Sequence, residues 1–97
     1  MKDVDKGFFE RADSLINLAN SQISSDIGRG KVSASFMYAL SRFNVFVAAC
    51  NCNNSVTLEK NKDEMIEYYT SEFKKMLRDN IDDYVNNFEK YMKWYLK

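Results

Sequence analysis

The sequence contains no histidine and no proline. Without histidine the chain lacks the commonest general base and the commonest metal ligand. An average composition would supply about five prolines, so no helix here is kinked or ended by one. Net charge is also missing: 14 basic side chains balance 14 acidic ones. A neutral balance argues against bulk binding to nucleic acid or to an anionic membrane. Only two cysteines occur, Cys50 and Cys52, too few for the disulfide framework of a small secreted domain. The opening MKDVDKGFFERAD mixes acids into the first residues, with no apolar stretch typical of a secretory leader. The longest apolar run, residues 34–50, is interrupted by Ser35, Ser41, Arg42 and Asn44. A membrane span needs about 20 mostly apolar residues, so this run reads as a buried soluble helix. The expectation is a reduced, cytoplasmic protein.

What is present suits one folded domain over residues 1–97. The chain is 45% hydrophobic and 29% charged, which excludes intrinsic disorder. No linker, repeat or low-complexity run divides it, and hairpin signals are nearly absent.

Val4, Phe8, Ala12, Leu15, Ile16, Ala19 and Ile23 recur at the 3.6-residue period of an amphipathic helix. The spacing predicts a first helix over 3–24. Gly28 or Gly30 is available to take a positive φ in the turn that follows. The second helix, predicted over 31–51, has two apolar faces. One holds Val32, Phe36, Ala39, Leu40, Phe43, Val47 and Cys50; the other holds Ala34, Tyr38, Ser41, Val45, Ala48 and Cys52. The second set steps alternately by four and three, a heptad seam, with small residues at 34, 41 and 48. A helix apolar nearly all round is central and covered.

The third segment starts at Thr57, or at Asn61 with Glu64 completing a capping box. Its stripe runs Ile66, Tyr69, Phe73, Leu77, Ile81, Tyr84, Phe88, Met92, Tyr95. One helix from Thr57 to the end would be about 60 Å long. The favoured reading is a break near Asp79-Asn80, where Lys74, Lys75 and Arg78 suit a helix end and Asp82 and Asp83 a helix start. A continuous or gently bent helix is the alternative. The fold class is all-α: a small antiparallel bundle of three long helices, the break adding a fourth.

Candidate sites are few. Gly28-Arg29-Gly30-Lys31 resembles part of a phosphate loop, but Ser25, Val32 and the preceding helix depart from that pattern. The bland reading, a turn with solvated basic residues, outweighs a small-anion site. Cys50 and Cys52 supply two of the four ligands a structural zinc needs, so Cys50 reads as a core residue and no metal or cofactor is expected. Asp13, Asn17, Asn20, Arg42 and Asn44 form a candidate interhelical polar cluster. A buried Arg42 needs a carboxylate, Asp13 or Glu10 before Glu67. A structural network is favoured there over a small-ligand pocket. Phe88, Tyr91, Trp94 and Tyr95 either form an interface or cap the core. Acids among them weigh against stacking on single-stranded nucleic acid. Catalytic chemistry has no evident nucleophile–base pair, so an enzyme is not expected.

The residues FFERADSLINLAN (8–20) and GKVSASFMYALSRFNVFVAA (30–49) resemble a family of short bacterial, mainly proteobacterial, proteins of unknown function. The resemblance continues through KNKDE (60–64) and KMLRDNIDDY (75–84). It implies a bacterial cytoplasmic protein and brings no activity, ligand or catalytic residue with it. The Cys50/Cys52 pair lies outside that pattern.

The sequence-based expectation is a non-enzymatic helical interaction module forming a homodimer through the seam Ala34, Tyr38, Ser41, Val45 and Ala48, with no nucleic acid or membrane partner. The alternative is a small polar-ligand-binding protein using the Asp/Asn/Arg cluster.

Overall fold

A computed structural model describes residues 4–95, so the expected start of the first helix at Asp3 lies outside the described residues. Five helices and no strand are found among them: α1 (Phe8–Ser21), α2 (Arg29–Ala49), α3 (Ser55–Lys60), α4 (Lys62–Asn86) and α5 (Phe88–Met92). The chain is all-α with three long helices, α1, α2 and α4, as the periodicity predicts. Its internal packing divides it into two compact units, Met1–Val47 and Ala48–Lys97.

In the first unit, the start of α1 is organised by Asp5. Its carboxylate accepts the Gly7 amide at 3.2 Å and both Arg11 guanidinium nitrogens, at 3.2 and 2.7 Å. A carboxylate just ahead of a helix also suits the positive end of the helix dipole. α1 ends with the Gln22 and Ile23 amides bonded back to Ala19 and Asn20. The chain then reverses without left-handed glycine: no glycine among the described residues has a positive φ. This corrects the role expected for Gly28 or Gly30. Ser24 makes the turn instead. Its hydroxyl accepts the Asp26 and Ile27 amides at 3.3 and 3.1 Å, and its amide donates to the Ile27 carbonyl at 2.9 Å. A serine hydroxyl offers such local bonds as a substitute for backbone partners. The one buried hydrophobic side chain among the described residues is Val32 on α2, 6% exposed.

The second unit is shaped by asparagines. Asn54 caps α3: its side-chain oxygen accepts the Thr57 amide at 2.9 Å and the Thr57 hydroxyl at 3.1 Å. Asn61 closes α3 through its own amide, bonded to the Thr57 and Leu58 carbonyls. It makes no side-chain cap on α4, so the expected Asn61/Glu64 capping box is not formed. The predicted start at Asn61 is a real boundary and opens the long helix, whereas Thr57 lies inside a six-residue helix that begins two residues earlier, at Ser55.

α4 is continuous through Asp79-Asn80, which corrects the favoured break. The charge bias there is worth only tenths of a kcal/mol, and no glycine or proline interrupts a stripe that stays in phase. The interruption comes at Asn87. Its side-chain amide donates to the Asp83 carbonyl at 2.9 Å and to the Asp83 carboxylate at 3.1 Å. That asparagine takes up one of the last carbonyls of the helix, and α5 begins at the next residue. Tyr91 then reaches back, donating its hydroxyl to Asp83 at 3.3 Å with its ring 4.9 Å from Tyr84.

Two substitutions check these assignments. Gly30 lies inside α2, and a Cβ built on it meets nothing within 4 Å. Gly30→Ala should therefore raise stability by about 0.5–1 kcal/mol, read as a higher thermal midpoint at fixed protein concentration. Asn54→Ala should cost about 1 kcal/mol in denaturant unfolding, with faster amide exchange at Thr57.

Candidate functional site

Each apolar face of α2 has most of its large side chains open. On the seam face Tyr38 is 64% exposed; on the opposite face Phe43 is 62% exposed. Val45, Ser41 and Ala34 are exposed, and Ala48 is half-buried. The Ser41 hydroxyl bonds to the Tyr38 carbonyl at 2.9 Å, which satisfies it on its own helix and leaves the seam free of unmet polar groups. Phe43 and Phe46 lie with ring centroids 5.8 Å apart on the same exposed surface. Neighbouring residues on a helix at this spacing form one continuous apolar area. Within the first unit, α1 leaves these residues of α2 uncovered.

Within the first unit, α1 and α2 flank an apolar groove of about 300 Å³. Leu15, Leu18 and Ala19 of α1 face Val32, Phe36 and Ala39 of α2, with Gln22 and Ser35 as the polar lining. The sequence reading misses Leu18, Gln22 and Ser35. Leu18 lies one position from the Leu15–Ala19 stripe, and its spacings of three from Leu15 and four from Gln22 are the available signal.

The expected polar cluster stands mostly at the surface. Asp13, Asn17, Asn20 and Arg42 are exposed, and Asn44 is half-buried. No polar or charged residue is buried among the described residues. An exposed guanidinium needs no buried carboxylate, which removes the reason for pairing Arg42 with Asp13 or Glu10. The ion pair that α1 does make is Arg11–Asp5. It is solvent-exposed on both sides, where such pairs contribute little to stability. On α4, Glu72 and Lys75 pair at 3.1 Å across one helical turn.

Of the C-terminal aromatics, Trp94 is 69% exposed, Phe88 and Tyr95 are exposed, and Tyr91 is half-buried against Tyr84. Trp94 and Tyr95 meet edge to face, 5.7 Å apart. Three of the four are therefore open surface. The bond to Asp83 raises the Tyr91 phenol above its ordinary value of 10.0, because ionisation would remove the proton it donates to that carboxylate. Cys50 is exposed, which corrects its expected place in the core. Cys52 is half-buried, its thiol 3.5 Å from the Ala48 carbonyl.

α2 is also long and apolar enough, by length and composition alone, to cross a membrane. Helices from soluble cores meet the same measure, and Arg42 lies inside this one.

Residues 8–85 match the model of the family described as Protein of unknown function (DUF3144). The chain belongs to this family. It is also similar to a solved Shewanella sp. protein, NB7890A, whose NMR structure it matches at 38% identity with a TM-score of 0.75. That match covers 93% of this chain and 95% of the other. No protein of curated function matches the chain. Membership of the family therefore supports the helical fold and adds no reaction.

The Asp5 carboxyl is held below its ordinary value of 3.8, chiefly by the Arg11 guanidinium and next by the Gly7 amide. A lowered native value means the ionised form is favoured by folding. Its contribution is complete above 3.8 and disappears as pH falls through the lower native value. A carbon-detected NMR titration should show Asp5 titrating below 3.8, and Asp5→Asn should flatten the loss of stability across that window.

Proposed function

We propose that the protein is a non-enzymatic, cytoplasmic bacterial interaction module that works as a homodimer built on α2. The observation that carries this reading is the exposure of apolar side chains on both sides of that helix. Contiguous apolar surface of this extent on a soluble chain marks an association site. Covering a single large aliphatic or aromatic side chain contributes about 1.5–3 kcal/mol, so a few of the α2 residues are enough to drive pairing. A two-fold pair of identical chains is the commonest solution.

The reading of α2 as an association helix in water, not a membrane span, rests on Arg42. A guanidinium held at mid-membrane costs about 2.5–3.5 kcal/mol even on insertion scales, while in a soluble dimer it remains at the wet rim. The polar-ligand alternative draws no support from the α1–α2 groove, whose lining is mainly apolar.

Light scattering on a sizing column, under reducing conditions, tests the proposal. A mass of about 23 kDa, twice the 11.4 kDa chain, is expected at tens of micromolar. Ser41→Glu should return the mass to that of one chain while far-ultraviolet circular dichroism stays helical. A wild-type mass of one chain would overturn the homodimer.

A further inference from the structure

We infer that the occupant of the α1–α2 groove is helix α4 of a second copy of the chain. This inference rests on the homodimer reading and names the element that completes it. Two observations and one symmetry argument point to this occupant.

The first is matching apolar form. The groove offers Leu15, Leu18, Phe36 and Ala39 beside the buried Val32. Along α4, Ile66, Phe73, Leu77, Ile81 and Tyr84 form a stripe that is also open, with Leu77 47% exposed. The groove extends over residues 32–39 of α2, two helical turns or about 10 Å. That length receives a pair of stripe residues one turn apart, such as Phe73 and Leu77. The rest of the stripe is then carried along the exposed remainder of α2.

The second is charge. α2 carries Arg29, Lys31 and Arg42 and no carboxylate. α4 carries seven acids, Asp63, Glu64, Glu67, Glu72, Asp79, Asp82 and Asp83, against Lys62, Lys74, Lys75 and Arg78. One helix is +3 and the other −3. Arg29 and Lys31 also stand in the first turn of α2, the positive end of its dipole, where carboxylates are the favourable neighbours. Two α2 helices placed against each other bring like charges together, whereas α2 against α4 brings opposite ones. Electrostatic complementarity of this kind selects the partner surface and its register.

The third is symmetry. A dimer in which each copy gives α4 to the other's groove fills two grooves and covers two stripes by one two-fold operation. An isologous exchange of this kind leaves neither surface unmatched.

The test is a mass measurement followed by isotope-filtered NOE spectroscopy on a mixed dimer of labelled and unlabelled chains. The expected result is a two-chain mass with cross-protomer NOEs from the Leu15, Leu18 and Ala39 methyls to side chains of α4. Leu77→Asp should raise the dimer dissociation constant about 30-fold or more with helical circular dichroism retained. A two-chain mass whose cross-protomer NOEs join only Ala34, Val45 and Ala48 to one another would overturn the exchange and leave the homodimer standing. A one-chain mass would overturn both.

Discussion

A helix with apolar side chains on both flanks has to be covered on both, and α2 sets this requirement for the whole protein. Its 21 residues bear three charges, all positive, and large apolar side chains on both flanks, with a few serines and Asn44 between them. α1 meets part of the requirement by packing near Val32 and shaping a groove with it. The apolar residues beyond that contact remain open. In water each such side chain gains free energy by being covered, so the composition of α2 supports the proposed association. The charge distribution points the same way, with basic residues collected on α2 and acidic ones in excess on α4.

Around this constraint, the ends and turns of the helices are set by local side-chain bonds to the backbone. Asp5 organises the approach to α1, Ser24 turns the chain before α2, Asn54 opens α3, and Asn87 closes α4. None of these devices needs a left-handed residue, which fits a chain without proline and without a positive-φ glycine among the described residues. Asp83 links two levels of structure: it receives the bond that ends α4 and the Tyr91 hydroxyl that holds α5.

Much of this was legible from residue spacing. The stripes from Phe8 to Ala19 and from Ile66 to Tyr84 locate α1 and α4, and the double pattern from Val32 to Ala48 marks α2 as the central problem. Asn87 was harder to read, because an asparagine inside a periodic stripe gives no sign that its amide will reach Asp83. Asp79-Asn80 misleads in the opposite direction, since its flanking charges imitate a pair of helix ends while the apolar phase continues unbroken. The polar cluster shows the same difficulty. Asp13, Asn17 and Asn20 share one side of α1, yet whether Arg42 faces water or a carboxylate depends on what covers α2. Leu18 escapes the α1 stripe for a similar reason: a groove between two helices recruits residues at the edge of each stripe.

The sequence by itself determined the helical class, the three long helices and the two-faced character of α2, because these depend on periodicity within one segment. The tertiary structure decided which segments interrupt the helices, which carboxylate meets Arg11, that Arg42 and Cys50 stand in solvent, and that α1 and α2 enclose an apolar groove. Those features depend on contacts between residues that the helical period does not relate, and on how much of each face the remaining chain covers.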